Sequence, residues 1–262
     1  MPTPDKILLR DLDSLAAEFK TKLANVLNNL STQMDGQELA KLIAQLNFFK
    51  ELQSEGLDLH LAKFFTSYHE QIQTLLDIAK DEKVSSALAV NANVLDLIKE
   101  VDAKTLLGKA ADFSNLLQRQ LLQGLVNGKS NADIIKSLEG VNLTTAQMNT
   151  VVSTAYNDFG RAVTAQAYQD SPDQKFLYGN GREIDNPTIR DTCKHALILQ
   201  AEQYPEGVTM QEILEGVYPE IDLIQGGGPN CSHSFFPASQ FAIELEKRRM
   251  KKAEENLKKE NE

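Results

Sequence analysis

Asp185-Asn-Pro-Thr-Ile-Arg-Asp-Thr-Cys193-Lys-His195 opens the stretch around which this chain is organised, and Gly226-Gly-Gly-Pro-Asn-Cys231-Ser-His233 closes it just before Pro237. Both cysteines of the chain and two of its four histidines lie here. Each cysteine stands two residues before a histidine. No other part of the sequence gathers so many chemically active side chains.

Cys193, His195, Cys231 and His233 could together offer two sulfur and two nitrogen ligands to a tetrahedral zinc. Such a structural site would join the two ends of the stretch and stabilise a subdomain with little core of its own. Spacing limits this reading. Side chains at i and i+2 converge only on a turn or extended backbone, and inside a helix they diverge. The Pro-Asn-Cys-Ser-His turn suits a ligand pair, whereas Cys193 and His195 suit one only outside a helix. A Cys193–Cys231 disulfide and two unpaired thiols are the other readings of the same residues. Arg190, flanked by Asp185 and Asp191, reads as an ion pair or loop lock. The enzymatic readings are Asp185 as general base beside an open metal position, or a Cys-His nucleophile pair. Neither has a third orienting group, so the expectation is a protein without catalytic activity.

The totals set outer bounds. With 262 residues, 42% of them hydrophobic, the chain can bury a sizeable core in one domain or two. No apolar run approaches the roughly 20 residues of a membrane-spanning helix. The N-terminal Met-Pro-Thr-Pro-Asp-Lys lacks the pattern of a secretory signal. Lys+Arg is 27 and Asp+Glu is 37, a net charge of −10, which argues against wrapping duplex DNA through the overall field.

Outward from the stretch, the sequence reads as helical. Residues 5–33 carry Leu8, Leu12, Leu15, Phe19, Leu23, Val26 and Leu30 at helical spacing. The stripe resembles a coiled-coil seam but is read as packing within its own bundle. Asp35 and Glu38 form a capping box ahead of a second helix with Leu39, Leu42, Ile43, Leu46 and Phe49. Gly56 breaks it. A third helix runs from about Leu57 to Lys80, with His60 and His69 as ordinary histidines. A fourth spans 84–101 and a fifth 103–127. Beyond Gly128, a short helix from Ala132 to Leu138 ends at Gly140. A Thr144/Gln147 capping box opens a long helix to about Tyr168. Lys175–Tyr178 is a candidate strand, followed by a Gly179-Asn-Gly181 turn. Pro187 falls in the first turn of the next helix, and Thr209/Glu212 caps a short one. The last 20 or so residues are charged, with a weak stripe of Phe241, Leu245 and Leu257.

The fold expected is therefore mainly α: a helical N-terminal bundle over 1–125, a small α+β subdomain with short strands over 126–237, and a charged helical tail over 238–262.

In order and spacing, residues of the middle segment resemble a known family. Gly128, Ser130, Ile134 and Leu138 mark the short helix. Thr154-Ala-Tyr-Asn157 and Arg161 mark the long one. A short strand follows, then Asp185, Thr188, Arg190 and Cys193, then the glycine-rich Pro-Asn-Cys231-Ser-His233 turn. This is similar to the phage Mu F-like minor head proteins, also called phage head morphogenesis proteins, over about residues 125–237. Members often close with His-x-Asn-Cys-Arg-Cys. Here the turn is Gly-Pro-Asn-Cys231-Ser-His233, a family-like second cysteine after Cys193 is missing, and His195 stands nearby instead.

The resemblance implies a structural role. Such proteins are virion components of the phage head, present in few copies and associated with the portal. They assist head morphogenesis and in some phages accompany DNA packaging or ejection. It implies portal protein and other head proteins as partners, proximity to packaged DNA without strong binding, and residence in host cytoplasm during assembly. Asp185, Thr188, Arg190, Asp191 and Asn230 then form a structural lock. Zinc on Cys193, His195, Cys231 and His233 is the only cofactor in view. The N-terminal bundle is the candidate docking module. The rival readings are a zinc-dependent hydrolase or toxin-like effector, and a portal-ring adaptor or scaffold.

Overall fold

Pro4, at the first turn of helix α1 (Pro4–Leu30), starts a stripe that buries Leu8, Leu12, Leu15, Ala16, Phe19 and Leu27. In its last two turns the buried face follows the four-residue step from Phe19 through Leu23 to Leu27. Val26, expected inside, is 43% exposed. The computed structural model describes residues 2–79, 82–179, 189–229, 231–239, 242–244 and 247–248.

The helices continue as α2 (Gly36–Gln45), α3 (Phe48–Leu52), α4 (Asp58–Ala79), α5 (Glu82–Val90), α6 (Ala92–Val126), α7 (Asn131–Glu139) and α8 (Ala146–Ala167). Then come strand β1 (Lys175–Gly179), α9 (Asp191–Gln203), β2 (Val208–Thr209), α10 (Met210–Leu214) and β3 (Ser234–Pro237). The fold is mainly α with a small antiparallel sheet, the class read from the sequence.

Several boundaries differ from expectation for local reasons. The Asp35/Glu38 capping box is formed. However, the helix it starts ends at Gln45, because Asn47 caps a new one, its side chain accepting from the Lys50 amide at 3.0 Å. The Gln118 side chain donates to the freed carbonyls of Ile43 and Leu46 at 2.8 and 2.9 Å. A single π-type turn, Gln53–Leu57, contains Gly56 at the expected break. The expected pair of helices over 84–101 and 103–127 is instead α5 and one continuous α6, with the turn at Asn91. No glycine or proline stands near residue 102 to stop a helix, whereas Asn91 and Asn93 are weak helix formers. At the start of α8, Thr145 rather than Thr144 caps, accepting from the Met148 amide at 3.2 Å. Thr144 donates instead to Asp13.

The backbone groups into two compact units, Met1–Ser67 with Glu100–Ser153, and Tyr68–Lys99 with Thr154–Glu262. Residue 125 falls inside the first unit, near the end of α6. The first unit is cored by the α1 stripe with Leu39, Ile43, Phe48, Leu52, Leu106, Leu117, Ile134 and Leu138, all buried. His60 belongs here, its Nδ1 3.4 Å from an Asp11 carboxylate oxygen.

The second unit holds the sheet, in the order β2-β1-β3, both pairings antiparallel. Tyr178 pairs with Phe235 and Gly179 with Ser234, while β2 reaches only as far as Phe176, opposite Val208. Every β1 residue after Lys175 is buried. The unit's core joins Tyr68, Phe159, Phe176, Tyr178, Tyr218 and Phe235. The Thr209/Glu212 box caps α10 as expected. Asn180, Gly181, Pro187, Phe241, Leu245 and Leu257 lie outside the described residues. Of the tail, residues 242–244 and 247–248 are helical.

Candidate metal centre and arginine lock

Three segments of the second unit bring the chemistry together. Helix α9 carries Cys193, the glycine turn delivers Cys231, and the approach to β3 delivers His233. All three are buried, with relative exposures of 1%, 4% and 4%. The two Sγ atoms lie 3.6 Å apart, and Cys231 Sγ lies 3.7 Å from His233 Nδ1. The three donor atoms all fall within 4.8 Å of one another. Both thiols are free.

His195 is not among them. Two residues beyond Cys193 on a helix is about 200° around the axis, so its side chain leaves from the opposite face. It is exposed and lines a shallow cleft with Glu202 and Glu220. The four-ligand expectation therefore reduces to three side chains, for the geometric reason legible in the spacing itself.

Tyr178, on the central strand, completes the cluster. Its hydroxyl donates to Cys193 Sγ at 3.4 Å and lies 3.6 Å from Cys231 Sγ. Its ring stacks on His233, with centroids 5.4 Å apart. Burial, then the hydrogen bond with Cys193, pushes its phenol above the ordinary range. The two thiols diverge. The hydrogen bond from Cys193 draws Cys231 well below the ordinary thiol range, with His233 adding to this against the opposing effect of burial. That same hydrogen bond, then burial, pushes Cys193 up. Cys231 is thus the readier thiolate.

All three glycines of the turn stand where a side chain would crowd a neighbour, Gly228 with a φ of 94° and a Cβ position 3.0 Å from Arg190 Nη1. A Cβ on Gly227 would lie 2.4 Å from Cys193 Sγ. Gly226 has a φ of 58°, and a Cβ there would meet Cys231 Sγ at 3.1 Å and Arg161 Nη1 at 3.2 Å. The turn can approach the sulfurs only with bare backbone.

Arg161, from α8, organises the backbone around the cluster. It is 2% exposed. Its Nη1 donates to the carbonyls of Cys231 at 3.0 Å and His233 at 2.7 Å. Its Nε donates to the Ile224 carbonyl, and Nη2 pairs with Asp158 one turn back. Burial pushes the Asp158 carboxyl above its ordinary value, although the Arg161 charge pulls it down. Arg190 does a related job from the rim. It donates to the Gly227 carbonyl at 2.8 Å and to that of Pro229. The expected lock at Arg190 is therefore made to carbonyls of the glycine turn. Asp191 is exposed and starts α9. Asp185, Thr188 and Asn230 lie outside the described residues.

Gln200 and Tyr178 were not singled out by sequence. The Gln200 side chain accepts from the Tyr178 amide at 2.5 Å and donates to the Tyr178 carbonyl at 3.2 Å. It thus pairs with β1 where β2 has already ended. Tyr218 donates its hydroxyl to the same Gln200 oxygen at 3.2 Å. A buried glutamine gives no sequence signal of this kind. Arg161 entered the sequence reading only as a polar residue of the long helix and a member of the family pattern, not as a buried cation.

An apolar cavity of about 350 Å³ lies elsewhere in this unit, lined by Tyr68, His69, Ile72, Leu88, Leu95 and Phe159 among others. None of the Cys-His cluster lines it. The chain matches no protein-family model, no curated protein and no solved structure.

Proposed function

We propose that this chain is a minor structural protein of a phage head, related to the Mu F-like head morphogenesis proteins and acting beside the portal rather than as an enzyme. One observation carries the reading. The guanidinium of Arg161 donates to the carbonyls of Ile224, Cys231 and His233, so the long helix and the closing turn of the family pattern are bound to each other. The residues that bear the resemblance are used on the chain's own backbone. Arg161 binds three carbonyls, Arg190 binds two, and the cysteines face inward. Three of Arg161's five donors are engaged with backbone oxygens and a fourth with Asp158, which leaves little to offer a substrate. Cysteines and a histidine at 4% exposure or less admit no substrate without rearrangement. The net charge of −10 suits a protein that works near packaged DNA without adhering to it.

The test is direct binding of the full chain to portal protein, with a surface-charge-matched unrelated helical protein as control. Saturable binding supports the reading. No binding to portal, together with hydrolytic turnover that disappears on chelation while the fold persists, overturns it in favour of a metal-dependent hydrolase.

A further inference from the structure

We propose that Cys193, Cys231 and His233 hold a zinc ion in the second unit, through the two Sγ atoms and His233 Nδ1. The proposal stands on the geometry of these side chains and is independent of the head-protein reading.

The spacing of the donors fits the metal. Zinc–sulfur bonds of about 2.3 Å at tetrahedral angles place two sulfurs roughly 3.8 Å apart, and a sulfur and a nitrogen roughly 3.6 Å apart. Two of the three observed separations are 3.6 Å and 3.7 Å, and the third, between Cys193 Sγ and the His233 ring, is within 4.8 Å. The donors come from α9 and from both sides of Ser232, so one ion would clamp segments that the sheet alone does not join. This placement is unforced for each ligand: Cys193 and Cys231 need no rotation toward each other, and Gly227 leaves the room beside Cys193 Sγ that a side chain would fill.

Charge and polarity point the same way. Two thiolates neutralise a divalent ion, and a neutral imidazole adds nothing, so the loaded site carries no net charge into the core. Loading displaces up to two protons, one from each cysteine still protonated, and these leave to solvent. His233 Nε2 is buried without a hydrogen-bond partner among the described residues. The ring's remaining polar contact is the long one from Nδ1 to Cys231 Sγ, which is weak for a buried imidazole. A metal bond at Nδ1 would replace that weak contact and leave the ring proton on Nε2. The Tyr178 hydroxyl, already touching both sulfurs, steadies the thiolates by donation.

The experiment is zinc quantitation by plasma mass spectrometry on the full-length protein, purified without chelator. About one zinc per chain is expected, falling below about a tenth in Cys231→Ser and His233→Ala, while His195→Ala keeps its metal. Should a variant fail to fold, cobalt titration of the zinc-stripped wild type decides. A sulfur-to-cobalt charge-transfer band saturating at one equivalent supports the site. A wild type with neither zinc nor that band overturns it, whether its cysteines are then found as thiols or as a Cys193–Cys231 disulfide. So does metal that survives His233→Ala and is lost in His195→Ala.

Discussion

At the scale of single residues, the second unit depends on a buried cation and on an absent side chain. Arg161 is enclosed with its donors on three carbonyls and on Asp158. Arg161→Met would strand those carbonyls and the carboxylate, so a loss of about 3–5 kcal/mol is expected in urea unfolding. Arg161→Lys should recover little of it, since an ammonium cannot reproduce the planar fork of donors. Gly227→Ala should cost about 1–3 kcal/mol by driving a methyl onto Cys193 Sγ, 2.4 Å away. Gly36→Ala is the control. A Cβ there meets nothing within 4 Å, and the change should stabilise by about 0.4–1 kcal/mol by reducing the freedom of the unfolded chain. The sequence made the cysteines, His233 and the glycine run conspicuous. It left the choice between His195 and His233 to the secondary structure around Cys193, because i and i+2 converge or diverge according to that alone. The partners of Arg161 were not legible, since three of them are main-chain oxygens that any residue supplies.

At the scale of elements, caps were the most readable feature and continuity the least. Thr209 and Glu212 cap α10 as their spacing requires, and Thr209→Ala should cost about 1 kcal/mol. Hydrogen bonds from the Thr209 amide, then from its hydroxyl, hold the Glu212 carboxyl below the ordinary carboxylate range. The sign follows from that direction. Glu212's contribution is fully present above its unfolded value and is lost as pH falls through the lowered folded one. Unfolding measured against pH should therefore show an acid-side loss that is smaller in Glu212→Gln. Helix α6 shows the opposite case. Its apolar pattern gave no reason to choose between one helix and two across residue 102, and the absence of a stop signal there let it continue from Ala92. Strand β1 shows a third. On its β2 edge, pairing beyond Phe176 is taken over by the Gln200 side chain, a partner no period-2 pattern announces. Gln200→Leu should leave both backbone groups of Tyr178 unpaired and cost about 1–3 kcal/mol, read as a shift in the urea midpoint.

At the scale of the whole molecule, composition bounded the class correctly as mainly α, and no described helix is long and apolar enough to cross a membrane. The two compact units are interleaved along the chain. Linear reading divides a chain by changes in composition, whereas packing can return to an earlier segment. The character change at Asn127–Ser130 is real as a helix end and a new cap, yet both sides of it belong to one unit. The stretch from Asp185 to Pro237 becomes, in its described residues, a turn bound by Arg161 and Arg190 around inward-facing cysteines. That arrangement suits the structural role proposed above. Membership of the phage head, proposed above, is tested by quantitative mass spectrometry of purified heads against the portal protein. This chain is expected in the heads, co-sedimenting with portal and in fewer copies than portal subunits. One copy for every portal subunit would make it a ring adaptor instead, and its absence from the heads would overturn the proposal.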